Sequence, residues 1–551
     1  MKTREATESD WEDIRKLGDI VLKKYRLILE PSGQRILIPG GTCFLNAIRE
    51  SGSYIPSECG GKGTCGKCKI MVTPIPKAAG DDERHIPTEE LNRGIRLACQ
   101  HSIEADSRVM TMSIFADARI LTEGKPTEDE LLVDESAKGE YGAAIDIGTT
   151  TIVVYLMDLE TGQQVASAAG LNPQVSIGED VITRIGNASE SLLNRRNLQL
   201  MVVEDIDRLL AGLLSQLKIS PSSVAKLSVV GNTAMHHLFL GLDTSNLGVV
   251  PYTPANTDAQ LVEARDLGLK VVDGQVYCGP LIAGFVGSDI TALIISQHLN
   301  ETHETVLAID LGTNGELVLS KAGELYACST AAGSAFEGAT ISQGMRGQTG
   351  AIEHISLVNK NSAPEITVIG HVAPKGLCGS AIVDIVSELR RVNLVSPDGK
   401  LSESKRTTRD GKEALGYIVV DSDEHGADER IIFTQKDIRQ VQLAKAAIAA
   451  GARILMMTAN IEAKDLDRVL LAGAFGNYID PNSALNIGLI PRVPRNHVYQ
   501  VGNTAGIGAK MMLLSSVKRK AAETIVGSVR YIELAGRKDF QKSFIDSTSL
   551  N

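Results

Sequence analysis

The chain contains 551 residues, of which 43% are hydrophobic and 22% are charged, a composition typical of soluble, well-folded proteins. This length exceeds what one hydrophobic core supports, so we expect about three globular units. The formal net charge of −11 argues against a nucleic-acid partner, which requires a basic surface, and no apolar run reaches the ~20 residues that span a bilayer.

The first 24 residues are predicted to form a helical extension. They are charged throughout and lack the apolar core of a signal peptide, and S-D-W-E at residues 9–12 resembles a helix capping box. Without an export signal, the cysteines are expected in a reducing compartment, where clustering favours metal binding over disulfides. The expected location is therefore the cytoplasm.

Residues 25–115 have the pattern of a small β-rich domain. The predicted elements are strands at Tyr25–Leu29 and Arg35–Ile38, a helix at Thr42–Glu50, a strand at Lys69–Thr73, a helix at Thr88–Leu97 and a strand at Arg108–Ile114. Residues 116–140, which become acidic and polar from residue 122, are predicted to form a linker.

From residue 141 strands and helices alternate, which predicts an α/β fold with two lobes, 141–300 and 301–551, the second with a C-terminal extension. A-I-D-I-G-T-T-T-I-V-V at 144–154 is echoed by A-I-D-L-G-T-N-G-E-L-V at 308–318. Each segment reads as a β-hairpin with a polar tip, so we expect two similar lobes that face one another. The apolar stretch Ala444–Asn460, interrupted by Lys445 and Arg453, is predicted to be a packed helix.

Four of the eight cysteines follow the spacing of a [2Fe–2S] cluster. Three lie in S-E-C-G-G-K-G-T-C-G-K-C and the fourth in R-L-A-C-Q, giving C-x5-C-x2-C-x30-C. Such a cluster needs four thiolates and hydrogen bonds to its sulfur atoms, and the glycines of the loop tolerate the positive φ that close wrapping requires. The predicted ligands are Cys59, Cys65, Cys68 and Cys99.

Other interpretations of these residues fit less well. Zinc would favour two C-x2-C pairs, whereas here the fourth cysteine stands alone. The stretch also spells G-x-G-x-x-G and nearly a P-loop, but Cys68 stands where a P-loop has Ser or Thr, and no strand–turn–helix context surrounds it. Cys43 is expected to pack in the domain, and His236 and His237, which lack companion ligands, to be core or surface residues.

The two hairpins suggest a nucleotide site. A nucleoside triphosphate presents its phosphates to backbone N–H and hydroxyl groups and its Mg²⁺ to carboxylates. Asp146 and Asp310 each end a strand beside a Gly turn and Thr hydroxyls. One such Asp is more often an ordinary turn residue, but its repetition predicts a Mg²⁺–phosphate site. The Gly-rich segments 331–339 and 469–478 suit close approach by a nucleoside, with a plain strand-to-helix turn as the lesser alternative for the latter.

Specific segments resemble known families. I-P-S-E-C-G-G-K-G-T-C-G-K-C-K-I and G-I-R-L-A-C-Q resemble the cluster-binding segments of plant- and adrenodoxin-type ferredoxins, which implies a one-electron, low-potential carrier. The two hairpins resemble the phosphate motifs of the actin, sugar-kinase and heat-shock (ASKHA) ATPases, and L-A-G-A-F-G resembles their adenosine motif. Residues 331–339 are similar to a segment of 2-hydroxyacyl-CoA dehydratase activators.

Over about residues 25–540 the chain resembles the reductive activators of corrinoid-dependent enzymes. The segments that carry this resemblance are 172–185, 229–235, 280–289, 376–384 and 471–481. The implied fold class is an α/β multidomain protein, with an N-terminal β-grasp [2Fe–2S] ferredoxin domain followed by a two-lobed actin-like (RNase H-like) ATPase domain. The chain departs from some relatives, because the linker is too short for an extra middle domain and no cysteine follows Cys378 to hold a [4Fe–4S] cluster.

The resemblance also implies roles for single residues. Asp146 and Asp310 are expected to bind Mg²⁺ or orient the attacking water, and Asp289 is a weaker candidate for activating that water, with a helix cap as its equal alternative. The residues expected to hold the phosphates are Gly148, Thr149, Thr150, Gly312, Thr313 and Asn314. Those expected to line the nucleoside are Gly333, Ser334, Gly473 and Gly476.

The implied function is ATP-dependent transfer of an electron from the [2Fe–2S] cluster to the inactive Co(II) state of a corrinoid protein, restoring Co(I) for methyl transfer. The implied cofactors are the cluster, ATP and Mg²⁺. The implied partners are the corrinoid protein of a methyltransferase system and an external low-potential electron donor, and a homodimer is a candidate assembly. Two alternatives stay open: a small-molecule kinase of the same fold and an ATP-independent ferredoxin-type electron-transfer protein.

Overall fold

The computed structural model describes most of the chain, as two compact units that are treated separately below. The described residues are 23–30, 34–51, 55, 57, 59–111, 131, 133–134, 139–402, 406–409, 412–422, 424–427 and 429–550. The predicted N-terminal helix, most of the predicted linker and residues 112–114 of the strand predicted before it lie outside the described residues.

The first unit is built on a five-stranded sheet with the order β2-β1-β5-β3-β4. Its elements are β1 (Lys24–Glu30), β2 (Gln34–Pro39), α1 (Phe44–Glu50), β3 (Lys69–Thr73), α2 (Gly80–His85), α3 (Thr88–Asn92), β4 (Ile95–Leu97) and β5 (Ser107–Thr111). Strand β1 pairs antiparallel with β2 and parallel with β5, the mixed pairing of a β-grasp sheet. Alternate residues of the strands, such as Leu27 with Leu29 and Ile70 with Val72, point into one apolar core.

One predicted helix of this unit is wrong in its second half. The helix predicted over Thr88–Leu97 ends at Asn92, and Ile95–Leu97 is a strand that pairs antiparallel with β3. Gly94, at φ +88°, turns the chain between the two elements. Ile95 and Leu97 after this glycine are buried by the pairing with β3, a long-range contact that the sequence pattern does not reveal.

The second unit begins with a six-stranded sheet of order β10-β11-β9-β6-β7-β8. Its strands are β6 (Tyr141–Ile147), β7 (Thr151–Asp158), β8 (Gln164–Leu171), β9 (Val224–Gly231), β10 (Gln260–Glu263) and β11 (Gln275–Cys278). The helices in this part of the chain are α4 (Val181–Glu190), α5 (Leu192–Leu217), α6 (Thr233–Leu240), α7 (Ala264–Leu267) and α8 (Ser288–Ser296).

A second six-stranded sheet has the order β22-β21-β12-β13-β14-β23, and two three-stranded sheets, β16-β15-β17 and β18-β19-β20, accompany it. The strands are β12 (Thr305–Leu311), β13 (Gly315–Lys321), β14 (Glu324–Thr330), β15 (Ala351–Ser356), β16 (Glu365–Val368), β17 (Gly376–Leu377), β18 (Arg406–Arg409), β19 (Lys412–Val420), β20 (Ile431–Thr434), β21 (Arg468–Ala472), β22 (Val498–Gly502) and β23 (Arg530–Tyr531). The helices are α9 (Gly379–Arg391), α10 (Gln435–Thr458), α11 (Gly473–Gly476), α12 (Pro481–Asn486), α13 (Thr504–Leu514), α14 (Ser516–Val526) and α15 (Lys538–Asp546).

The two large sheets repeat one arrangement. In the first, β6 forms a hairpin with β7 and lies parallel to β9; in the second, β12 forms a hairpin with β13 and lies parallel to β21. Asp146 and Asp310 therefore occupy equivalent positions near the ends of β6 and β12. The two hairpins predicted from the sequence echo are confirmed.

Helices α8 and α13 pack against each other between the two large sheets. One apolar cluster joins Ala144 of the first sheet and Ala308 of the second to Leu293 of α8 and Met512 of α13. Helix α13 comes from the C-terminal part of the chain but also packs on β6 and β9. The chain therefore crosses between the lobes just before α13, immediately after β22.

Among the described residues, one helix, α10, is long and apolar enough to cross a membrane by length and composition. In the structure 67% of its apolar window is buried inside the protein. The predicted packed helix over Ala444–Asn460 is the second half of α10, and Lys445 within it is buried and donates to the Ser549 carbonyl oxygen.

Candidate functional sites

The loop with three of the predicted cysteine ligands is shaped by its glycines. Four glycines between residues 60 and 66 all adopt positive φ, at 62°, 96°, 75° and 69°. Only glycine reaches such angles without strain, so the loop can wrap tightly around its own cysteines. A hydrogen bond of 2.8 Å from the Ala98 N–H group to the Cys68 carbonyl brings the fourth ligand, Cys99, beside this loop.

The four thiols form two pairs. The side chains of Cys59 and Cys65 hydrogen-bond to each other, and so do those of Cys68 and Cys99. The bond from Cys68 is the largest influence on Cys99 and lowers its pKa to about 6, whereas the bond to Cys99 and burial raise the pKa of Cys68. Two thiolates on each of two irons is the arrangement that a [2Fe–2S] cluster requires.

Positive groups surround these sulfur atoms. Burial disfavours ionisation of Cys59, but backbone N–H groups of Cys65, Thr64 and Gly61 outweigh it and bring its pKa down to about 7. Cys99 accepts a hydrogen bond of 3.3 Å from the Gln100 side-chain amide. The Arg49 guanidinium also interacts electrostatically with three of the four thiols. Burial raises the pKa of Cys65 to about 11, so the loop favours the thiolate at one cysteine of each pair, Cys59 and Cys99.

Buried polar contacts hold the chain that leads to Cys99. The carboxylate of Asp82, which is fully buried, accepts hydrogen bonds of 2.8 Å from the Leu97 and Ala79 N–H groups and lies 2.5 Å from His101 Nε2. Cys43 stands outside the two pairs, at the N-terminus of α1, and its thiol donates to the Ala98 carbonyl oxygen at 3.1 Å. Cys43 thus has the packing role predicted for it.

The donor set fits a two-iron cluster better than a single ion. In the described part of the chain, no group of three or more His, Cys, Asp or Glu side chains is placed to hold one metal ion. Paired thiolates with inward-pointing N–H groups are what a rhombic cluster with bridging sulfides needs, and zinc would require four ligands around one point.

The second site is a cleft of about 290 Å³ in the second unit, lined by the tips of both hairpins. Its lining includes all nine residues predicted for Mg²⁺, the attacking water and phosphate: Asp146, Gly148, Thr149, Thr150, Asp289, Asp310, Gly312, Thr313 and Asn314. Residues separated by as many as 168 positions therefore meet at one cavity between the two lobes.

Four acidic residues lie in this cleft: Glu316 is buried, and Asp146, Asp289 and Asp310 are partly buried. Burial, joined by the charges of neighbouring acids, raises the pKa of Asp289 to about 8 and that of Asp310 to about 7. Burial raises the pKa of Asp146 to about 6, against a hydrogen bond from Asn503 that lowers it, and raises that of Glu316 well above its ordinary value. A divalent cation here would remove this unfavourable accumulation of negative charge.

The first hairpin tip is braced by residues from the segments 172–185 and 229–235. The Asn172 amide donates to the Gly148 carbonyl oxygen at 2.8 Å, and the buried Arg184 donates to that of Thr149 at 2.6 Å. The Asn232 amide donates to the Thr149 hydroxyl at 2.9 Å. These segments therefore fix the shape of the turn that the phosphates are predicted to contact.

The second hairpin tip is held by different partners. The Thr313 hydroxyl donates to Glu337 at 2.7 Å. Gly473, at φ +81°, approaches so closely that a Cβ there would collide with the Asp310 carboxylate and lie 3.0 Å from the Leu311 carbonyl oxygen. Gly473 lines the cleft, as predicted for a nucleoside contact.

The other predicted nucleoside residues lie elsewhere. Gly333, Ser334 and Gly476 are not among the described residues that line the cleft, and their roles stay predictions. The aromatic rings of Phe336 and Phe475 do line it, stacked with centroids 5.2 Å apart and an interplanar angle of 9°.

Asp289 and the two histidines have defined places. Asp289 lies in the first turn of α8, where its carboxylate accepts a 2.8 Å hydrogen bond from the next N–H group, and it also faces the cleft. His236 and His237 are both buried in α6, away from the cleft lining, and His237 bonds Thr233 and Ala255. They are core residues, one of the two predicted alternatives.

Among the cleft residues that escaped the sequence analysis are three polar residues of its lining. Glu316 lies opposite Asp310 in the β12–β13 ladder, a position that the hairpin register could have identified. Arg346 and Asn503 also line the cleft, but no motif marks either residue.

Three regions of the chain match sequence-family models. Residues 27–104 match the 2Fe-2S iron-sulfur cluster binding domain, residues 141–302 match the RACo middle region, and residues 304–551 match the C-terminal domain of RACo, the ASKHA domain. The predicted fold class, a β-grasp ferredoxin domain followed by an ASKHA ATPase domain, is confirmed.

Whole proteins are similar over most of their length. The chain is 35% identical over 452 residues to the corrinoid activation enzyme RamQ of Eubacterium limosum, which covers 80% of this chain and 76% of that protein. It is 24% identical over 407 residues to the Co(II) methylated amine-specific corrinoid protein reductase of Methanosarcina barkeri, covering 68% and 70%. A solved structure described as a reductive activator for a corrinoid, iron-sulfur protein matches with a TM-score of 0.69 and 28% identity, over 96% of this chain and 98% of that one.

Proposed function

Because the chain belongs to the RACo family of corrinoid activation enzymes, we propose that it uses ATP to return an electron to a corrinoid protein whose cobalt has been oxidised to Co(II). It is an ATP-dependent corrinoid-protein reductase. The observation that supports this role is that one chain combines a loop with two thiol pairs and a cleft lined by four carboxylates whose pKa values are raised.

In the proposed cluster site, Cys59 and Cys65 hold one iron, and Cys68 and Cys99 hold the other. When bound, the cluster supplies a one-electron carrier, with a potential of roughly −400 mV in plant-type ferredoxins. The surrounding N–H groups and Arg49 stabilise the added negative charge of the reduced state. An external low-potential donor would reload the site after each transfer.

In the proposed nucleotide site, the Gly and Thr residues of the two hairpin tips contact the phosphates of ATP. Mg²⁺ keeps several waters and takes few protein ligands, so one or two of Asp146, Asp289 and Asp310 would bind it together with the phosphates. The carboxylate left without the ion, partly buried and with a raised pKa, would accept a proton from the attacking water. Gly473 and the Phe336–Phe475 pair would contact the nucleoside.

ATP is needed because the transfer runs uphill. The Co(II)/Co(I) couple of the target lies below an ordinary ferredoxin potential, and 100 mV corresponds to about 2.3 kcal/mol per electron. Each ~59 mV changes the equilibrium tenfold, so the cluster alone would leave little Co(I). Nucleotide binding between two lobes joined by packed helices can change their arrangement, and with it how the corrinoid protein is held.

The test compares wild type with Cys65→Ser and Cys43→Ser, each reconstituted with iron and sulfide, mixed with a Co(II) corrinoid protein and a strong reductant. Formation of Co(I) is followed by absorbance with and without ATP. Wild type and Cys43→Ser should form Co(I) only with ATP, whereas Cys65→Ser should form little or none and still hydrolyse ATP.

Three outcomes would contradict the proposal. An unaffected Cys65→Ser protein would mean that the cluster is not the donor, as expected of a kinase. Equal Co(I) formation without ATP would indicate the ATP-independent electron carrier. Loss of activity in Cys43→Ser with a full cluster would place the electron route outside the two thiol pairs.

A further inference from the structure

Asn503 occupies the point at which the chain passes between the two lobes. It follows the last residue of β22, which belongs to the second sheet, and it is the N-cap of α13, which packs on the first sheet. Its side chain is 9% exposed and lines the cleft. A residue here moves with any rotation of one lobe against the other.

The side chain of Asn503 uses each of its polar groups. Its amide nitrogen donates to Asp146 Oδ2 at 2.9 Å and to the Tyr155 hydroxyl at 3.2 Å. Its carbonyl oxygen accepts a 2.8 Å hydrogen bond from the Gly506 N–H group, which caps α13. The amide is therefore fixed in orientation from three sides.

For Asp146 this contact stands alone. Asn503 donates the one side-chain hydrogen bond that the Asp146 carboxylate receives from the described residues. Because the partly buried carboxylate otherwise depends on its strand for position, the direction of its lone pairs follows the Asn503 amide.

We propose that Asn503 is a positioning residue, which orients the Asp146 carboxylate in the nucleotide cleft and makes that orientation depend on the arrangement of the two lobes. This inference rests on the proposed function of the cleft in ATP hydrolysis. Nucleotide closure of the lobes would move the β22–α13 junction, and the Asn503 amide would carry the Asp146 carboxylate with it. The hydrolytic geometry would then form only in one lobe arrangement.

The neighbouring residues fix the Asn503 amide on the first lobe. Gly506 in the first turn of α13 leaves room for Tyr155, since a Cβ there would lie 2.5 Å from the phenol oxygen. Lys510, one turn further, places its ammonium group 4.5 Å from the centroid of the Tyr155 ring. Tyr155 therefore supports α13 by packing, and its hydroxyl is a secondary partner of Asn503.

The chemistry restricts which side chains could replace Asn503. Serine and aspartate both cap helices well, so Asn503→Ser and Asn503→Asp should preserve the start of α13. Serine is too short to reach Asp146, whereas aspartate offers no donor at neutral pH and repels the Asp146 carboxylate. Tyr155→Phe keeps the ring and removes only the hydroxyl, which makes it the matched control.

The experiment measures ATP hydrolysis by the full, cluster-loaded chain with its Co(II) corrinoid partner present. For Asn503→Ser we expect kcat to fall by roughly 10- to 100-fold, the range for a misplaced catalytic group, while KM for ATP changes less than about threefold. Asn503→Asp should lose at least as much, and Tyr155→Phe should stay within about threefold of wild type. The thermal unfolding midpoints of the variants check that the helix cap is intact.

The results distinguish failure of the proposed function from failure of the positioning role of Asn503. An inactive wild type would overturn the proposed function itself. An active wild type with Asn503→Ser at the same kcat would overturn only the positioning role. A rise in KM that accounts for the whole loss, or an equal loss in Tyr155→Phe, would likewise reject it, since the first indicates nucleotide binding and the second indicates packing of α13.

Discussion

The cysteine loop and the nucleotide cleft place charge in opposite ways. In the loop, the hydrogen bond from Cys68 and then the Gln100 amide lower the pKa of Cys99, and N–H groups outweigh burial to lower that of Cys59, whereas the pKa values of Cys65 and Cys68 are raised. The cleft partly or fully buries four carboxylates near one another, which raises the pKa of every one of them. The loop thus favours a thiolate in each of its pairs, whereas the cleft disfavours charge on its carboxylates.

The two sites also differ in how far apart their residues lie in the sequence. The four cysteines fall within residues 59–99, and three of them share one loop. The cleft combines residues from both hairpins with Asn503, which is 357 positions from its partner Asp146. A local loop keeps its shape through its own backbone, whereas the cleft exists only while the lobes are packed together.

The largest expected effect tests the cleft. Asp310→Asn should lower the kcat of ATP hydrolysis by roughly 10²–10³-fold, because it removes a charge aimed at the reacting phosphate and its ion. The absorption spectrum of the cluster should not change. Asp266→Asn, at a carboxylate that is 73% exposed, is the control and should match wild type. Full hydrolysis by Asp310→Asn would show that the acids of the cleft do not serve the nucleotide.

The next effect concerns stability and pH. Because the pKa of Asp289 rises from 3.8 to about 8 on folding, its neutral form stabilises the folded state at low pH, and this contribution is lost as the pH rises through about 8. Asp289→Asn cannot ionise. The measured quantity is the free energy of unfolding of Asp289→Asn minus that of wild type, in buffer without Mg²⁺ or nucleotide. This difference should be larger at pH 8 than at pH 5 by at least about 1 kcal/mol.

Thermal unfolding midpoints of both proteins at the two pH values give this difference. Adding Mg²⁺ and ATP should reduce it, since the ion favours the charged form in wild type. A difference that is the same at pH 5 and pH 8 would contradict the assignment of Asp289 to the group of coupled acids of the cleft.

A smaller effect is expected in the loop. Gly63→Ala and Gly41→Ala both place alanine at positive φ, 75° and 85°, at a cost of about 1–2 kcal/mol. Only at Gly63 would the new Cβ also lie 2.6 Å from the Gln100 amide nitrogen, whereas nothing lies within 4 Å of a Cβ at Gly41. Iron and sulfide content per chain should therefore fall in Gly63→Ala and not in Gly41→Ala. Equal retention would show that the loop tolerates expansion.

The smallest effect is on the cluster potential. Gln100→Leu removes the 3.3 Å hydrogen bond to Cys99, which favours the more negative, reduced state. Loss of one hydrogen bond worth about 1 kcal/mol should lower the reduction potential of the cluster by about 40 mV relative to wild type. Redox titration followed by electron paramagnetic resonance measures the shift. Gln34→Leu, whose amide donates to the Ser51 carbonyl oxygen instead, should leave the potential unchanged, and an equal shift in both would reject the assignment.

Much of the fold could be predicted because its signals are local. The spacing of four cysteines and the glycines between them defined the loop, and the repeated Asp-x-Gly-Thr segments defined both hairpins. The error at residues 93–97 arose because so short a segment, with only Ile95 and Leu97 apolar, fits a helix or a strand equally well. Pairing with β3, a long-range contact, decided it.

The amino-acid sequence by itself determined the cluster loop, the two hairpins and the family, since each depends on residues close together in the chain. Only the tertiary structure placed Glu316 and Asn503 in the cleft, beside Asp310 and Asp146. The physical reason is that burial and hydrogen bonding between distant segments follow from how the two sheets pack on α8 and α13, and no short motif encodes that packing.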